Sequence, residues 1–261
     1  ITKEEFVRLL TFSNNPSSAF LISAVGSALW SCPRFGIALY IIELLTAFVI
    51  GAVMHIMFPV KNSSLTVNVP TKKHMGIRVF SAVMTDSALS MINVCALVLF
   101  FASLVGASVS VAENFGVSQT AKTLLYGFFE MTGACGEAAK LQSKEAGLIL
   151  TALICGWSGL SVHFQVISIS ASEGVSFLPY FCAKACQGVL SALSMLLYIR
   201  FFDSALPSAC IPALSVSGTS DKNSTAFTIA VNAVLGFSFL LYFTGRSRAR
   251  ISSVHDRVQT K

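Results

Sequence analysis

Apolar residues in this chain fall in continuous runs of roughly 16 to 30 positions, separated by short polar stretches, and an α-helix needs about 20 such residues to cross a bilayer. A β-barrel would instead show segments of about ten residues with alternating hydrophobicity. The pattern therefore predicts an all-α polytopic membrane protein forming a single membrane domain over 1–261. Residues 1–11 read as a short amphipathic helix, and 5–31 as one crossing interrupted at 13–17 by Ser-Asn-Asn-Pro-Ser. Cys32-Pro33-Arg34 reads as a turn, and 35–58 as a span of ordinary length. A polar loop follows at 59–80, then a long connecting span within 81–112. Residues 119–135 are apolar but short for a crossing, which suits a re-entrant hairpin. Residues 136–145, with Glu137, Lys140, Lys144 and Glu145, read as a surface helix. A crossing follows at 146–172, broken at 156–161. Glu173-Gly174 turns, 175–202 crosses back, and 225–244 is the last span before a polar tail at 245–261.

The most informative interruption is 156–165, which reads Gly-Trp-Ser-Gly-Leu-Ser-Val-His-Phe-Gln. A plain membrane helix has no use for two glycines, two serines, a histidine and a glutamine at its middle. Polar groups held in hydrocarbon without partners are costly, so such a stretch lines a cavity or packs inside a bundle. Broken helices at mid-membrane are where many secondary transporters bind substrate and coupling ion.

Charge fixes the expected orientation. The loop 59–80 carries Lys61, Lys72, Lys73, His74 and Arg78 and no acid. The tail has Arg246, Arg248, Arg250, Arg257 and Lys261 against Asp256. The positive-inside rule puts both in the cytoplasm, and that holds only if 119–135 is re-entrant rather than a full crossing. A second order is internal. Thr2-Lys3-Glu4-Glu5, an apolar run and the break at 13–17 resemble Ser143-Lys144-Glu145-Ala146, an apolar run and the break at 156–161. The two run in opposite senses, the pattern of an inverted-topology repeat. On this reading 1–58 is the second part of repeat 1 and 113–202 is repeat 2. The hairpin that should precede the first break would lie upstream of Ile1, which points to an N-terminally incomplete chain.

Composition agrees: 54% of the 261 residues are hydrophobic and only 11% charged, with mean hydropathy +0.73, against about 25% charged in soluble domains. The formal charge of +6 sits beside membrane spans and gives no reason to invoke nucleic acid. Seven cysteines are scattered without Cys-x-x-Cys spacing and read as small buried hydrophobes. Enzyme signatures such as His-Glu-x-x-His, Gly-x-Ser-x-Gly and the phosphate-cradling glycine loop are missing. No metal site or cofactor is expected.

Candidate site residues follow from the breaks. Ser158, Gly159 and Ser161 offer hydroxyls and bare backbone N–H groups. A half-helix starting near Ser161 would direct positive dipole at an anion; the alternative is close helix packing through small residues. His163 is either a hydrogen-bond partner of a neighbouring helix or a ligand donor or proton carrier. Gln165 faces away from it on a helix. Ser13, Asn14 and Asn15 occupy the matching break, as ligands or as a helix cap. Thr132 and Gly133 lie at the far end of the hairpin. Glu130, at its tip, is the candidate for coupling to a cation or proton, or else an exposed tip. Sodium or proton coupling stays open. Glu43 pairs with a base not identifiable from sequence, Asp86 is solvated or capping, and Lys184 snorkels or pairs. Arg34 and Arg200 read as anchors at outer helix ends.

Three stretches carry a family resemblance: Leu10-Thr-Phe-Ser-Asn-Asn-Pro-Ser-Ser-Ala-Phe20, Gly127-Phe-Phe-Glu-Met-Thr-Gly133 and Gly156-Trp-Ser-Gly-Leu-Ser-Val-His-Phe-Gln165. They resemble the signatures of the sporulation integral membrane protein family called YlbJ, or SpoVV, along essentially the whole chain. The third is the most specific. The first departs from a pattern nearer Phe-Thr-Asn-Thr-Ser-Asn-Pro, and the family's Gly-Tyr-Pro segment upstream of it is missing here. The resemblance implies a fold of the nucleoside-recognition Gate group, similar to concentrative nucleoside transporters. It also implies a role in endospore formation and movement of dipicolinate, a small aromatic dicarboxylate, across the membrane around the forespore. The fold group often forms dimers or trimers, so a homo-oligomer is an option beside the lipid bilayer and the anionic solute as partners. Two other functions fit the residues: a non-transporting sporulation membrane assembly factor, and a nucleoside permease using Trp157, Phe164 and Gln165.

Overall fold

The computed structural model describes residues 3–57, 77–170 and 176–212. The expected last span (225–244), the basic tail, most of the basic loop and the Glu173-Gly174 turn lie outside the described residues. Among the described residues every regular element is a helix. Four of the stretches, Pro33–Met57, Val83–Val109, Lys144–Ser168 and Leu178–Phe201, are long and apolar enough to cross a membrane by length and composition.

Helix α1 (Lys3–Ser13) ends at the first expected break. After Asn14–Ser18 the chain resumes as an 11-residue π-helix, Ala19–Leu29, closed by the Trp30 amide donating to the Val25 carbonyl at 3.0 Å. Helix α2 (Pro33–Met57) follows. The turn therefore lies one step earlier than Cys32-Pro33-Arg34. Ser31 takes the left-handed conformation (φ 48), and Pro33 opens the helix, where its missing N–H loses nothing. Helix α3 (Ile77–Asn114) is the long connecting span, 38 residues.

The short apolar segment is two helices, α4 (Gln119–Phe129) and α5 (Met131–Ala139), hinged at Glu130 and packed on each other. This corrects the sequence reading. The second limb runs on to Ala139, and 136–145 is not a separate surface helix. Ala134, Cys135, Ala138 and Ala139 form a buried face, while Glu137 and Lys140 pair at 2.6 Å on the outside. The charges mark one side of an amphipathic helix. Helix α6 (Lys144–Trp157) starts at a Ser143 cap and gives way to α7 (Gly159–Ser170). Helix α8 (Leu178–Phe201) and the single turn α9 (Leu206–Ala209) complete the described chain.

The core is where α2, α5, α6, α8 and the π-helix meet, around Trp30, Phe35, Leu39, Leu148, Ile154 and Met195. Helix α2 turns Ile37, Ile41, Leu45, Phe48 and Val49 outward, as a lipid-facing helix does. Two ion pairs, Arg34–Asp203 at 2.6 Å and Arg200–Glu145 at 2.9 Å, tie helix ends together, so both arginines are more than anchors.

Close packing in the bundle depends on glycine against glycine, as small residues allow in membranes. A Cβ on Gly156 would lie 2.8 Å from the Gly188 Cα, and one on Gly188 would lie 2.9 Å from the Leu153 carbonyl oxygen. Gly26 meets Gly36 in the same way, joining the π-helix to α2. The substitution Gly188→Val should force α6 and α8 apart and destabilise the fold by about 1–3 kcal/mol, the usual range for overpacking. The check is the thermal midpoint of the detergent-solubilised protein. An unchanged midpoint would show that the two helices are not in backbone contact.

Candidate functional site

Two of the three interruptions of the helices touch each other directly. The second crossing is broken at one residue. Ser158 adopts a left-handed conformation (φ 73), its amide closing the last turn of α6 on the Ile154 carbonyl at 2.8 Å and its hydroxyl donating to the Cys155 carbonyl at 3.1 Å. Gly159 follows at φ 80, and a Cβ there would lie 3.1 Å from the Met131 amide nitrogen and 3.3 Å from the Glu130 Cα. The break of the crossing thus touches the hinge of the hairpin, backbone to backbone. Only a residue without a side chain satisfies both the positive φ and the contact.

Glu130 lies in that hinge, buried. Its Oε1 accepts from the Thr132 amide at 2.7 Å and its Oε2 from the Gly133 amide at 2.6 Å. The carboxylate caps α5, where negative charge meets the helix N-terminus. Thr132 and Gly133 contribute backbone N–H groups to this cap.

The other half of the site is a chain of polar side chains between α1, α2, α7 and α8. The Tyr180 hydroxyl accepts from Asn14 Nδ2 at 2.6 Å and contacts His163 Nδ1 at 3.0 Å. One tyrosine therefore links the first break to the second crossing. One turn further along α8, Lys184 is fully buried. Its Nζ donates to the Asn14 carbonyl at 2.9 Å, to Gln187 Oε1 at 2.8 Å and, more weakly, to Asn15 Oδ1 at 3.4 Å. Gln187 Nε2 donates to Asn15 Oδ1 at 2.9 Å and to Glu43 Oε2 at 3.2 Å. Thr46 and Ser191 continue the line, hydroxyl to hydroxyl at 3.0 Å. The base that pairs with Glu43 is Lys184, reached through the Gln187 amide.

Of the residues expected at the site, the structure brings Asn14, Asn15 and His163 into this network. Ser158, Gly159, Glu130, Thr132 and Gly133 meet at the hairpin hinge instead. Ser161, buried, accepts from half-buried Gln165 at 3.4 Å, on a helical segment that turns Gln165 away from His163. The half-helix begins at Gly159 rather than Ser161. Ser13 is the exposed last residue of α1, and the side chain of Asp86 lies outside the described residues. Sequence reasoning assigned no role to Tyr180, Gln187, Thr46 or Ser191. A signal was present: Tyr180, Lys184, Gln187 and Ser191 are spaced 4, 3 and 4 apart, one polar stripe down an apolar helix.

Aromatic rings close the site on one side. Trp157 stacks on Phe128 with centroids 5.9 Å apart, and its Nε1 donates to the Phe128 carbonyl at 3.1 Å. It also meets His163 edge-on at 4.4 Å, while Phe181 packs on the histidine at 5.0 Å. A cleft of about 290 Å³ opens beside Trp157, lined by Leu124, Phe128, Leu153, Ile154, Val189 and the glycines 127 and 188. It holds no charged group and gives an anion nothing to bind. Among the described residues no group of three His, Cys, Asp or Glu side chains is placed to hold a metal ion.

The chain is similar to the sporulation integral membrane protein YlbJ of Bacillus subtilis (strain 168), with 25% identity over 236 residues, covering 76% of this chain and 56% of that protein. It spans about half the length of the curated relative it matches. The likeness to the YlbJ family read from the three motifs holds at family level, and with the apolar helices it marks this chain as an integral membrane protein. No family model matches the chain, and no solved structure does.

The shared hydroxyl gives the first test of the site. Tyr180→Phe removes the group that joins half-buried Asn14 to buried His163 and leaves the histidine without that partner, a loss of about 1–3 kcal/mol. Thermal unfolding in detergent should show a lower midpoint, and Asn14→Ala on top of Tyr180→Phe should add little, because both remove the Asn14–Tyr180 bond. Full additivity would mean that the two residues do not interact.

Proposed function

We propose that this chain forms the core of a sporulation-associated carrier for a small anionic solute, dipicolinate first among them, working by alternating access. The sporulation role follows the name of the relative and the motifs shared with its family. The carrier reading follows the helix breaks. Two crossings are interrupted, at Asn14–Ser18 and at Ser158, and one hairpin hinge packs against the second break. The charged starts of the two broken crossings suit an inverted-topology repeat of the Gate type, in which one such unit moves against the rest. The basic loop 59–80 and the tail 245–261 belong on the cytoplasmic side on this reading.

Lys184 is the observation that carries the anion assignment. Its ammonium is fully buried and is held directly by neutral oxygens, the Asn14 carbonyl, Asn15 Oδ1 and Gln187 Oε1. A carboxylate entering between the first break and α8 would replace a neutral acceptor with a charged one, which makes a stronger hydrogen bond. A nucleoside would gain nothing comparable from the ammonium, and Phe164, one of the aromatics it would use, is 46% exposed. An assembly factor has no need of a buried cation at a helix break.

The experiment is uptake of labelled dipicolinate into vesicles bearing the full-length protein, with nucleosides as a parallel panel. Lys184→Met keeps the stem and removes the charge. Losing a charge-assisted bond of about 1.5–3 kcal/mol should reduce uptake roughly 10- to 150-fold, with membrane insertion unchanged and Lys184→Arg partly active. Uptake by Lys184→Met equal to that of the parent protein would refute the assignment, and uptake of nucleosides alone would favour the permease.

A further inference from the structure

Glu43 is buried at the middle of α2, and Oε1 of its carboxylate meets no hydrogen-bond partner, while Oε2 accepts from Gln187 at 3.2 Å. The same Gln187 offers its Oε1 to Lys184 at 2.8 Å. The amide therefore stands between a buried acid and a buried base, donating to one and accepting from the other. The two charges compensate each other without touching. A buried charge without compensation is strongly disfavoured, so this core holds no net charge in its present arrangement. We infer that Glu43 is the proton-binding group of the site, and that a proton on Glu43 releases the Lys184 ammonium to hold one carboxylate of an incoming anion.

This rests on the carrier reading and adds its coupling ion. The steps balance. A proton passes from water to a Glu43 carboxylate oxygen, leaving a neutral acid beside a cationic ammonium. One carboxylate then enters against Lys184 and matches the ammonium, while the solute's second carboxylate lies outside this pair. Proton and anion move together because the proton alone leaves the ammonium unmatched and the carboxylate alone would add to the charge of an ionised Glu43. Gln187 can follow the change by turning its amide, since a protonated Glu43 becomes a donor and the side-chain carbonyl an acceptor for it.

The groups around Glu43 leave it this role. From α8 it faces Lys184, Gln187 and the hydroxyl of Ser191. From α6 it faces Cys155, whose sulfur lies 3.8 Å from that of Cys135 on α5. Helix α1 brings Arg8, but its guanidinium bonds His55 at 2.5 Å, roughly three turns along α2. The π-helix carries no titratable residue. On α2 itself, Arg34 is paired with Asp203. His163 lies beyond Lys184, toward Tyr180. The hairpin carboxylate, Glu130, is already bonded to two amides, which among the described residues leaves Glu43 the buried acid with an oxygen lacking a hydrogen-bond partner.

The test uses the full-length protein with Glu43→Gln, an isosteric group that cannot take the proton. In vesicles with an imposed pH gradient, the parent protein should accumulate dipicolinate, with entry rising by about tenfold for each unit that the pH falls on the limb where Glu43 is ionised, one proton per anion. Glu43→Gln should still exchange dipicolinate across the membrane, independently of pH, while its accumulation ratio falls to one. Accumulation by the variant as in the parent, or loss of exchange together with accumulation, would overturn the inference. Infrared spectroscopy separates it from the carrier reading. The carbonyl band of a protonated carboxyl should appear on acidifying the parent protein and be missing from Glu43→Gln. If the band behaves so while no dipicolinate moves, the carrier reading fails and the proton site stands. If dipicolinate moves but the band is identical in both proteins, Glu43 does not bind the proton.

Discussion

A lysine ammonium with no exposed surface needs oxygen around it, and this requirement organises the structure. Lys184 lies inside an otherwise largely apolar helix, on a buried polar stripe with Tyr180, Gln187 and Ser191. Breaking its compensation by removing a partner would leave a buried charge, a loss of about 3–5 kcal/mol. Each oxygen it uses comes from a different structural device. The Asn14 carbonyl is available because α1 stops at Ser13 and the chain does not resume a helix until Ala19. Asn15 Oδ1 is available because Asn15 directs its own amide to the Phe12 carbonyl at 2.5 Å. Gln187 comes from the next turn of the same helix. The first break therefore supplies backbone and side-chain acceptors that a continuous helix would have used internally.

The second and third breaks set where those devices sit. Gly159 allows the crossing to lie against the hairpin hinge, and Gly156 and Gly188 allow α6 to lie against α8. Those contacts hold α7 where His163 reaches Tyr180. Geometry at the polar network thus depends on backbone contacts some distance from it. This is why the glycines of the 156–165 stretch matter although they touch no ligand group. The hairpin hinge has its own stabilisation, since Glu130 neutralises the exposed amides at the start of α5.

Much of this was legible in the sequence. The apolar runs gave the helices, and Asn14-Asn15-Pro16 and Ser158-Gly159 gave the breaks, because proline, asparagine and glycine interrupt helices for local reasons. The likeness of the two charged starts was also visible. The network was not, because its bonds join residues far apart in the chain: Gln187 to Asn15 spans 172 positions and Lys184 to Asn14 spans 170. Composition could say that Lys184 and Glu43 each needed a partner, but not that one amide would serve both. The 136–145 segment misleads for a different reason. Charged residues at Glu137 and Lys140 look like a surface helix, yet they occupy one face of a helix whose other face is buried alanine and cysteine. Pro33 fits a turn in the sequence, although proline is equally at home at the first position of a helix.

The central claim is that the first break and α8 together form one anion site around Lys184. A density map of the full-length protein with dipicolinate bound tests it directly. The account predicts solute density within hydrogen-bond reach of Lys184 Nζ, between Asn14–Asn15 and Gln187, with a carboxylate oxygen in place of one neutral acceptor. Density in the apolar cleft beside Trp157, with the Lys184, Gln187 and Asn15 contacts undisturbed, would contradict it.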